Sequence, residues 1–286
     1  MGAPVFVSTT SFPRRDLDAI LPLCEEGHID ALELSAVGGD VSLLRGRRYP
    51  RHVLVHNYFP LATPPFVLNL ASLDAETLAR SRSHCRAALD ISRDLGGAVY
   101  AAHAGYAAEL TPDVLGDPAR QAALPADRLA NRDDAYATLV ESSRQLTAYA
   151  RERGVRFLVE NHVLAAGAGE RGAELLFAVD PSGMEQLVRD VGEPEFGLLL
   201  DVGHLKVSAA TLGFDPVSAA ASLAPWIGAL HLSENDAIAD THEPFGDEAW
   251  FLPLLRTLPD AAITIELQAQ PIEAIADVRA TVARWL

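Results

Sequence analysis

Short apolar runs of strand length alternate with longer segments whose apolar residues recur at helical spacing along the chain. Runs rich in Val, Ile and Leu, bounded by polar or glycine-containing stretches, predict buried strands. They occupy residues 5–9, 31–34, 51–60, 98–105, 155–162, 196–204, 227–236 and 262–268. Segments with helical periodicity predict helices at residues 16–26, 41–47, 73–95, 133–153, 181–191, 215–223, 248–255 and 272–286. Each predicted strand is therefore followed by a predicted helix.

Eight strand–helix pairs in 286 residues favour an α/β fold in which all strands run parallel. A (β/α)8 TIM barrel needs about 250 residues plus insertions, and no linker divides the chain. We therefore predict a single TIM-barrel domain over residues 1–286. A doubly wound parallel sheet is the alternative, but it gives no reason for eight units whose strands end on polar residues. The longest irregular connection, residues 106–132, is predicted to cover the mouth of the barrel.

Ionisable residues lie at the ends of several predicted strands. In Phe196-Gly-Leu-Leu-Leu-Asp201-Val-Gly-His204 an apolar run stops on a carboxylate, a glycine and an imidazole. Glu160 and Glu266 close two further apolar runs, where a carboxylate is costly to bury unless it is paired or bound to a metal. The carboxyl ends of all barrel strands meet at one mouth. The candidate metal ligands are His56, His103, Glu160, Asp201, His204, His231, Asp240, His242 and Glu266.

The chemistry of these candidates points to a catalytic metal centre. Glu, Asp and His together suit divalent ions such as Mn, Zn, Co, Fe or Mg. The chain has only two cysteines, Cys24 and Cys85, far apart in helical contexts, and we interpret them as reduced thiols. A site without cysteine ligands favours open, catalytic coordination over a structural zinc site. The number of candidates is consistent with one to three ions.

The charge balance restricts the expected partners. The chain has 23 basic and 39 acidic residues, a net charge of −16 and a pI near 4.9. Nucleic-acid affinity comes mainly from Lys and Arg that neutralise phosphates, so a small molecule is a better candidate than a nucleic acid. No apolar run reaches membrane-spanning length, and the first residues lack the basic region of a secretory leader. We expect a cytoplasmic protein without membrane contact, and the sequence leaves a homo-oligomer open.

The strand-end motifs resemble those of the xylose isomerase-like TIM-barrel superfamily, which includes sugar phosphate isomerases and epimerases and AP endonuclease family 2 proteins. The matching motifs are Val159-Glu160-Asn161, Asp201-Val-Gly-His204, His231-Leu-Ser-Glu-Asn-Asp236, Asp240-Thr-His242-Glu-Pro-Phe-Gly246 and Ile265-Glu266. The resemblance to the epimerases implies one divalent ion held by Glu160, Asp201, His231 and Glu266. It also implies that the two glutamates flank the substrate carbon and exchange its proton.

A second pattern in the same superfamily, that of endonuclease IV, implies more ligands and three ions. Its extra positions fall on His56, His103, His204, Asp240 and His242. This fuller ligand set is similar to that of an enzyme that hydrolyses phosphoesters. The motifs alone therefore leave two kinds of chemistry open.

We predict first an isomerase or epimerase of a small sugar or polyol derivative, in which Glu160 and Glu266 transfer the proton and His204 orients a substrate oxygen. The alternative is a two- or three-metal phosphoester hydrolase, whose substrate would be a phosphorylated metabolite bound by Arg14, Arg15 or Lys206. A metal-dependent dehydratase or oxygenase on the same barrel is the third hypothesis. A binding function without catalysis is disfavoured, because it has no use for so many convergent ligands.

The aromatic residues Tyr58, Phe59, Phe245 and Trp250 are candidates for covering the sugar, although helix–barrel packing explains Trp250 better.

Overall fold

Eight parallel strands close into a barrel in the computed structural model, which describes residues 4–286. The strands follow one another around the barrel in chain order, and β1 pairs with β8 to close it. The predicted α/β class and (β/α)8 barrel are confirmed. Residues 1–3, on which the expected lack of a leader partly rests, lie outside the described residues. The strands are β1 (Val5–Ser8), β2 (Ala31–Leu34), β3 (His52–His56), β4 (Val99–His103), β5 (Arg156–Glu160), β6 (Gly197–Asp201), β7 (Ile227–Leu232) and β8 (Ala262–Ile265).

Helices connect the strands, and most of them surround the barrel on its outer side. They are α1 (Leu17–Glu26), α2 (Ala75–Leu95), α3 (Pro118–Ala122), α4 (Arg132–Arg151), α5 (Gly169–Leu175), α6 (Pro181–Val191), α7 (Val202–Leu212), α8 (Pro216–Leu223), α9 (Leu254–Thr257) and α10 (Ile272–Trp285). Among residues 4–286, no helix is both long enough and apolar enough to cross a membrane.

Side chains along each strand point alternately toward the helices and toward the barrel interior, so the core shared with the helices is separate from the interior of the barrel. On β5, Phe157 and Val159 belong to the large core shared with the helices, whereas Leu158 belongs to a small interior cluster with Leu199 and Ala229. Side chains two residues apart on a strand share a face. The next inward positions after this interior cluster are therefore the polar residues Glu160, Asp201 and His231, at or next to the ends of β5, β6 and β7. Strand periodicity thus places ligand-type side chains directly above an apolar floor.

The structure differs from the sequence prediction mainly around β6 and α9. The sixth strand ends at Asp201, and α7 begins at the next residue, so His204 lies in the first turn of a helix and not on a strand. The helix predicted at residues 248–255 is reduced to turns followed by the four-residue α9, whose N-cap is Pro253. Proline has no N–H and disfavours a helical conformation in the residue before it, so a helix that runs through this position is disfavoured.

Gly96 ends α2 in a left-handed conformation, with φ of 75°. A Cβ atom at this position would meet no atom within 4 Å, so replacement with alanine costs only backbone strain. We expect Gly96→Ala to lower the free energy of unfolding by about 1 kcal/mol, measured by urea denaturation. Gly96→Asn is the control, because asparagine tolerates this conformation better and is expected to cost less. Equal losses in both variants would contradict this explanation.

Candidate metal centre

Four ligand-type side chains from consecutive strands meet at the carboxyl end of the barrel. Glu160 ends β5 and Asp201 ends β6; His231 is the penultimate residue of β7, and Glu266 directly follows β8. One ligand atom of each lies within 4.8 Å of the others. His231 Nδ1 is 2.7 Å from Glu266 Oε2. The same nitrogen is 3.8 Å from Glu160 Oε1 and 3.9 Å from Asp201 Oδ2. We call these four residues the quartet.

The two carboxylate oxygens of Asp201 have different surroundings. Oδ1 accepts a hydrogen bond from the backbone N–H of His204 at 2.8 Å and caps α7. Oδ2 is buried and has no hydrogen-bond partner. The side chain of Asn161 holds the Asp201 backbone on both sides, accepting from its N–H at 2.8 Å and donating to its carbonyl at 3.2 Å. Asp201 is thereby fixed with one oxygen facing the quartet.

A second cluster extends the quartet toward β3 and β4. Glu160 Oε2 is 3.1 Å from Nε2 of His56, at the end of β3, and 3.0 Å from Nε2 of His103, at the end of β4. The ligand atoms of these three residues lie within 4.8 Å of one another. Glu160 is therefore shared between this cluster and the quartet.

A third cluster consists of His204, Asp240 and His242. Asp240 Oδ2 is 3.0 Å from His204 Nε2 and 2.9 Å from His242 Nε2. His204 Nδ1 lies 2.8 Å from the carbonyl oxygen of Asn161. A carbonyl oxygen can only accept, so Nδ1 carries the proton of this hydrogen bond. In the neutral imidazole, Nε2 then presents a lone pair to the cluster, as in histidines that bind metals.

Opposing charges decide the protonation of these buried groups. Burial raises the pKa of Glu160, but His103 and His56 outweigh it and hold that pKa well below the usual range. Burial lowers the pKa of His231, but the surrounding carboxylates bring it well above the usual range. Asp201 differs, because burial raises its pKa and its neighbours do not reverse the shift. The carboxylates therefore attract positive charge strongly at this end of the barrel.

The quartet fits a divalent ion. Asp201 Oδ2 and His231 Nδ1 are both buried and make no aligned hydrogen bond, which is costly unless another partner satisfies them. The donors are carboxylate oxygens and one imidazole nitrogen, a combination that suits Mn, Fe, Co or Zn ions. A cation shared by the four residues would satisfy these atoms together.

A cavity of about 230 Å³ opens beside these clusters. This volume is just below the usual range of small-molecule sites, roughly 300–1,000 Å³. All of the sequence-predicted ligands line it except Asp201 and His231. Those two are fully buried members of the quartet, in contact with the ligands that do line the cavity. All nine are thus brought together at one mouth, and their roles as ligands stay a prediction.

Some of the residues expected to cover a substrate line the cavity, and others do not. Tyr58 lines the cavity. Leu115 and Gly116, which belong to the connection at residues 106–132, also line it. Phe59 and Phe245 are instead buried in the core shared with the helices. The aromatic residues of the sequence prediction therefore divide between wall and core.

The positively charged candidates for phosphate binding do not line the cavity. Lys206 Nζ is 2.5 Å from Glu234 Oε1 and 2.6 Å from the carbonyl oxygen of Asn235. Arg14 and Arg15 are exposed. None of the three is among the residues that form the cavity.

Sequence reasoning assigned no role to three polar residues of this region: Glu33, Asn161 and His162. His162 is buried, lines the cavity and has a pKa well below the usual value, chiefly because of burial. Glu33 lies inside the apolar strand Ala31–Leu34 and is 3% exposed. The signal that singled out Glu160, a carboxylate in an apolar run, was equally present at Glu33.

Comparisons with known proteins agree with this architecture. A family model described as xylose isomerase-like TIM barrel matches residues 47–285. A search of curated proteins finds no match.

Solved structures with a similar fold cover almost the whole chain. A D-tagatose 3-epimerase-like protein has 18% identity and a TM-score of 0.72, covering 99% of this chain and 96% of its own. An L-ribulose 3-epimerase has 15% identity and a TM-score of 0.69, with coverage of 99% and 94%. A Thermus thermophilus protein soaked with zinc chloride has 21% identity and a TM-score of 0.61, with 99% of each chain covered. At these identities the likeness concerns the fold.

Proposed function

Because this chain belongs to the family of xylose isomerase-like TIM barrels, we propose that it is a divalent-metal-dependent isomerase or epimerase of a small sugar or polyol derivative. The observation that carries the proposal is the quartet, whose four ligand atoms lie within 4.8 Å of one another at the mouth of the barrel. The similar folds of a D-tagatose 3-epimerase-like protein and an L-ribulose 3-epimerase support a ketose as the substrate.

All four residues of the quartet would hold the ion, and two of them would also move a proton. A divalent ion bound there would supply positive charge that polarises a substrate carbonyl and its neighbouring hydroxyl. Glu160 and Glu266 are the proton-transfer pair, since both belong to the quartet and line the cavity. One removes a proton from the carbon beside the carbonyl, and the C–H electron pair moves toward the carbonyl oxygen. The other returns a proton to the opposite face of that carbon.

His204 has a supporting role in this proposal. Its Nδ1 hydrogen bond to the Asn161 carbonyl fixes the orientation of the ring. The side chain lines the cavity, where it is suited to orient a substrate oxygen. This contact would position the substrate and leave proton transfer to the two glutamates.

Proton transfer predicts exchange with solvent. When the metal-loaded protein is incubated with D-tagatose or L-ribulose in D2O, we expect one deuterium at the carbon beside the carbonyl in the epimer and in part of the recovered ketose. Mass spectrometry and proton NMR measure this incorporation. Glu141→Gln on the exposed face of α4 is the control and is expected to retain exchange. Epimer formed without solvent deuterium would contradict transfer through glutamates.

A phosphoester hydrolase with two or three ions is the second candidate, favoured by the two additional clusters around His56 and His204. The number of ions distinguishes the two proposals. Mass spectrometry of protein purified without chelator is expected to find about one ion per chain for the epimerase. Two or three ions, reduced by His56→Ala, together with hydrolysis of a small phosphoester would favour the hydrolase.

A further inference from the structure

Glu33 contacts the quartet from the side of His231 that faces away from the other ligands. Its Oε1 is 3.0 Å from His231 Nε2, and its Oε2 is 3.2 Å from the same nitrogen. Thr264 Oγ1 donates a hydrogen bond to Glu33 Oε2 at 3.1 Å. All three side chains are buried, with exposures of 3% or less. The carboxylate of Glu33 is therefore held by Thr264 of β8, and it faces the imidazole of His231 on β7.

These contacts determine which nitrogen of His231 is free. A carboxylate accepts a hydrogen bond from an imidazole N–H, so Glu33 favours the proton on Nε2. In the neutral ring, the lone pair is then on Nδ1. This nitrogen faces the rest of the quartet, 2.7 Å from Glu266 Oε2 and 3.9 Å from Asp201 Oδ2. An ion in the quartet would replace the proton that Glu266 attracts to Nδ1, and the ring would then be in the tautomer that Glu33 stabilises.

We propose that Glu33 is a positioning residue that orients His231 and fixes its Nε2–H tautomer, so that Nδ1 serves as the ligand of the quartet. This role rests on the proposed metal-dependent function. Residues that hold a metal-binding histidine in this way typically raise metal affinity by about 10–100-fold. Thr264 supports Glu33 and contributes less, because it acts one hydrogen bond further from the ion.

Glu33 is also a potential ligand, since its carboxylate lies within 4.8 Å of ligand atoms of His56 and His231. The two roles predict different results for Glu33→Gln. A glutamine retains a carbonyl oxygen that accepts from Nε2–H, so a positioning role survives in part. A neutral amide is a poor replacement for a carboxylate ligand, so a ligand role would cost one bound ion.

The test measures zinc affinity by competition with a chelator and zinc content by mass spectrometry, in the full chain. Glu33→Ala is expected to weaken binding about 10–100-fold without lowering the number of ions at saturation. Glu33→Gln is expected to lose less than Glu33→Ala, and Thr264→Val to show a smaller loss in the same direction. Glu141→Gln is the matched surface control with unchanged affinity.

A spectroscopic measurement separates positioning from general loss of structure. In zinc-loaded protein with 15N-labelled histidine, we expect a slowly exchanging Nε2–H signal that His231→Asn removes. This signal should persist in Glu33→Gln and disappear in Glu33→Ala, while far-UV circular dichroism stays unchanged.

If Glu33→Ala binds zinc with the wild-type affinity, the positioning role is wrong, but the proposed metal centre is not contradicted. Loss of one whole ion in Glu33→Gln would show a ligand instead, and absence of zinc binding by the wild-type protein would overturn the proposed centre together with this role.

Discussion

Replacing Glu160 with glutamine is expected to lower the rate of ketose epimerisation by about a thousandfold, within the range of roughly 10²–10⁴ typical of a lost acid–base group. Glu160 is 1% exposed, and it is the residue shared by the quartet and the cluster with His56 and His103. The amide keeps the size of the side chain but removes both its proton affinity and its negative charge. Steady-state kinetics with the metal-loaded protein measures this effect.

Glu266→Gln should produce a loss of similar size, because the same reaction needs a proton donor and a proton acceptor. His103→Ala is the informative comparison. It removes a side chain that lies outside the quartet and contacts Glu160, so an epimerase that uses the quartet should lose less solvent-deuterium exchange than it does in Glu160→Gln. Wild-type kinetics in Glu160→Gln would be incompatible with any catalytic role for this residue.

Metal binding is expected to stabilise the fold by several kcal/mol. An ion that binds only the folded protein contributes about 4 kcal/mol when its free concentration is 1,000 times its dissociation constant. For a protein of this size such a change corresponds to a rise in Tm on the order of 10 °C. The stabilisation arises because the quartet is assembled from four strands that are distant in sequence. Calorimetry of chelator-treated protein, before and after addition of Mn, Co or Zn ions, measures the shift.

Asp201→Asn tests whether this stabilisation comes from the quartet. Asparagine retains an oxygen able to accept from the His204 backbone and cap α7, but it lacks the second carboxylate oxygen that faces the quartet. We expect the variant to fold without metal and to lose most of the metal-induced rise in Tm. A full rise in Asp201→Asn would place the stabilising ion elsewhere in the chain.

The strands were the most predictable part of this protein, since their apolar runs reflect burial on both sides of the barrel wall. The predicted second strand, residues 31–34, has the observed bounds of β2. The start of α7 could not be predicted from the sequence, because Asp201 both ends a strand and caps a helix. Similarly, the turns before Pro253 contain apolar residues at helical spacing, and only the proline itself argues against a helix there. That residues 1–286 form one domain remains a prediction.

The site was predictable where barrel geometry alone brings strand ends together, which is why Glu160, Asp201, His231 and Glu266 could be placed at one mouth. Contacts across the barrel were not predictable. Glu33 reaches His231 from a position 198 residues away, and nothing in the local sequence of either residue specifies the pairing. The tautomer of His204 likewise depends on a carbonyl oxygen of Asn161, whose direction only the folded backbone determines.

The division of each strand into an outward packing face and an inward face has an evolutionary consequence. Phe157 and Val159 contribute to the core with the helices, whereas Leu158 and Glu160 point into the barrel. Mutations at the inward rim can therefore accumulate without disturbing the contacts that hold strands and helices together. Descendants of one ancestral barrel can diverge in the reaction they catalyse while the selection that preserves folding acts on other positions.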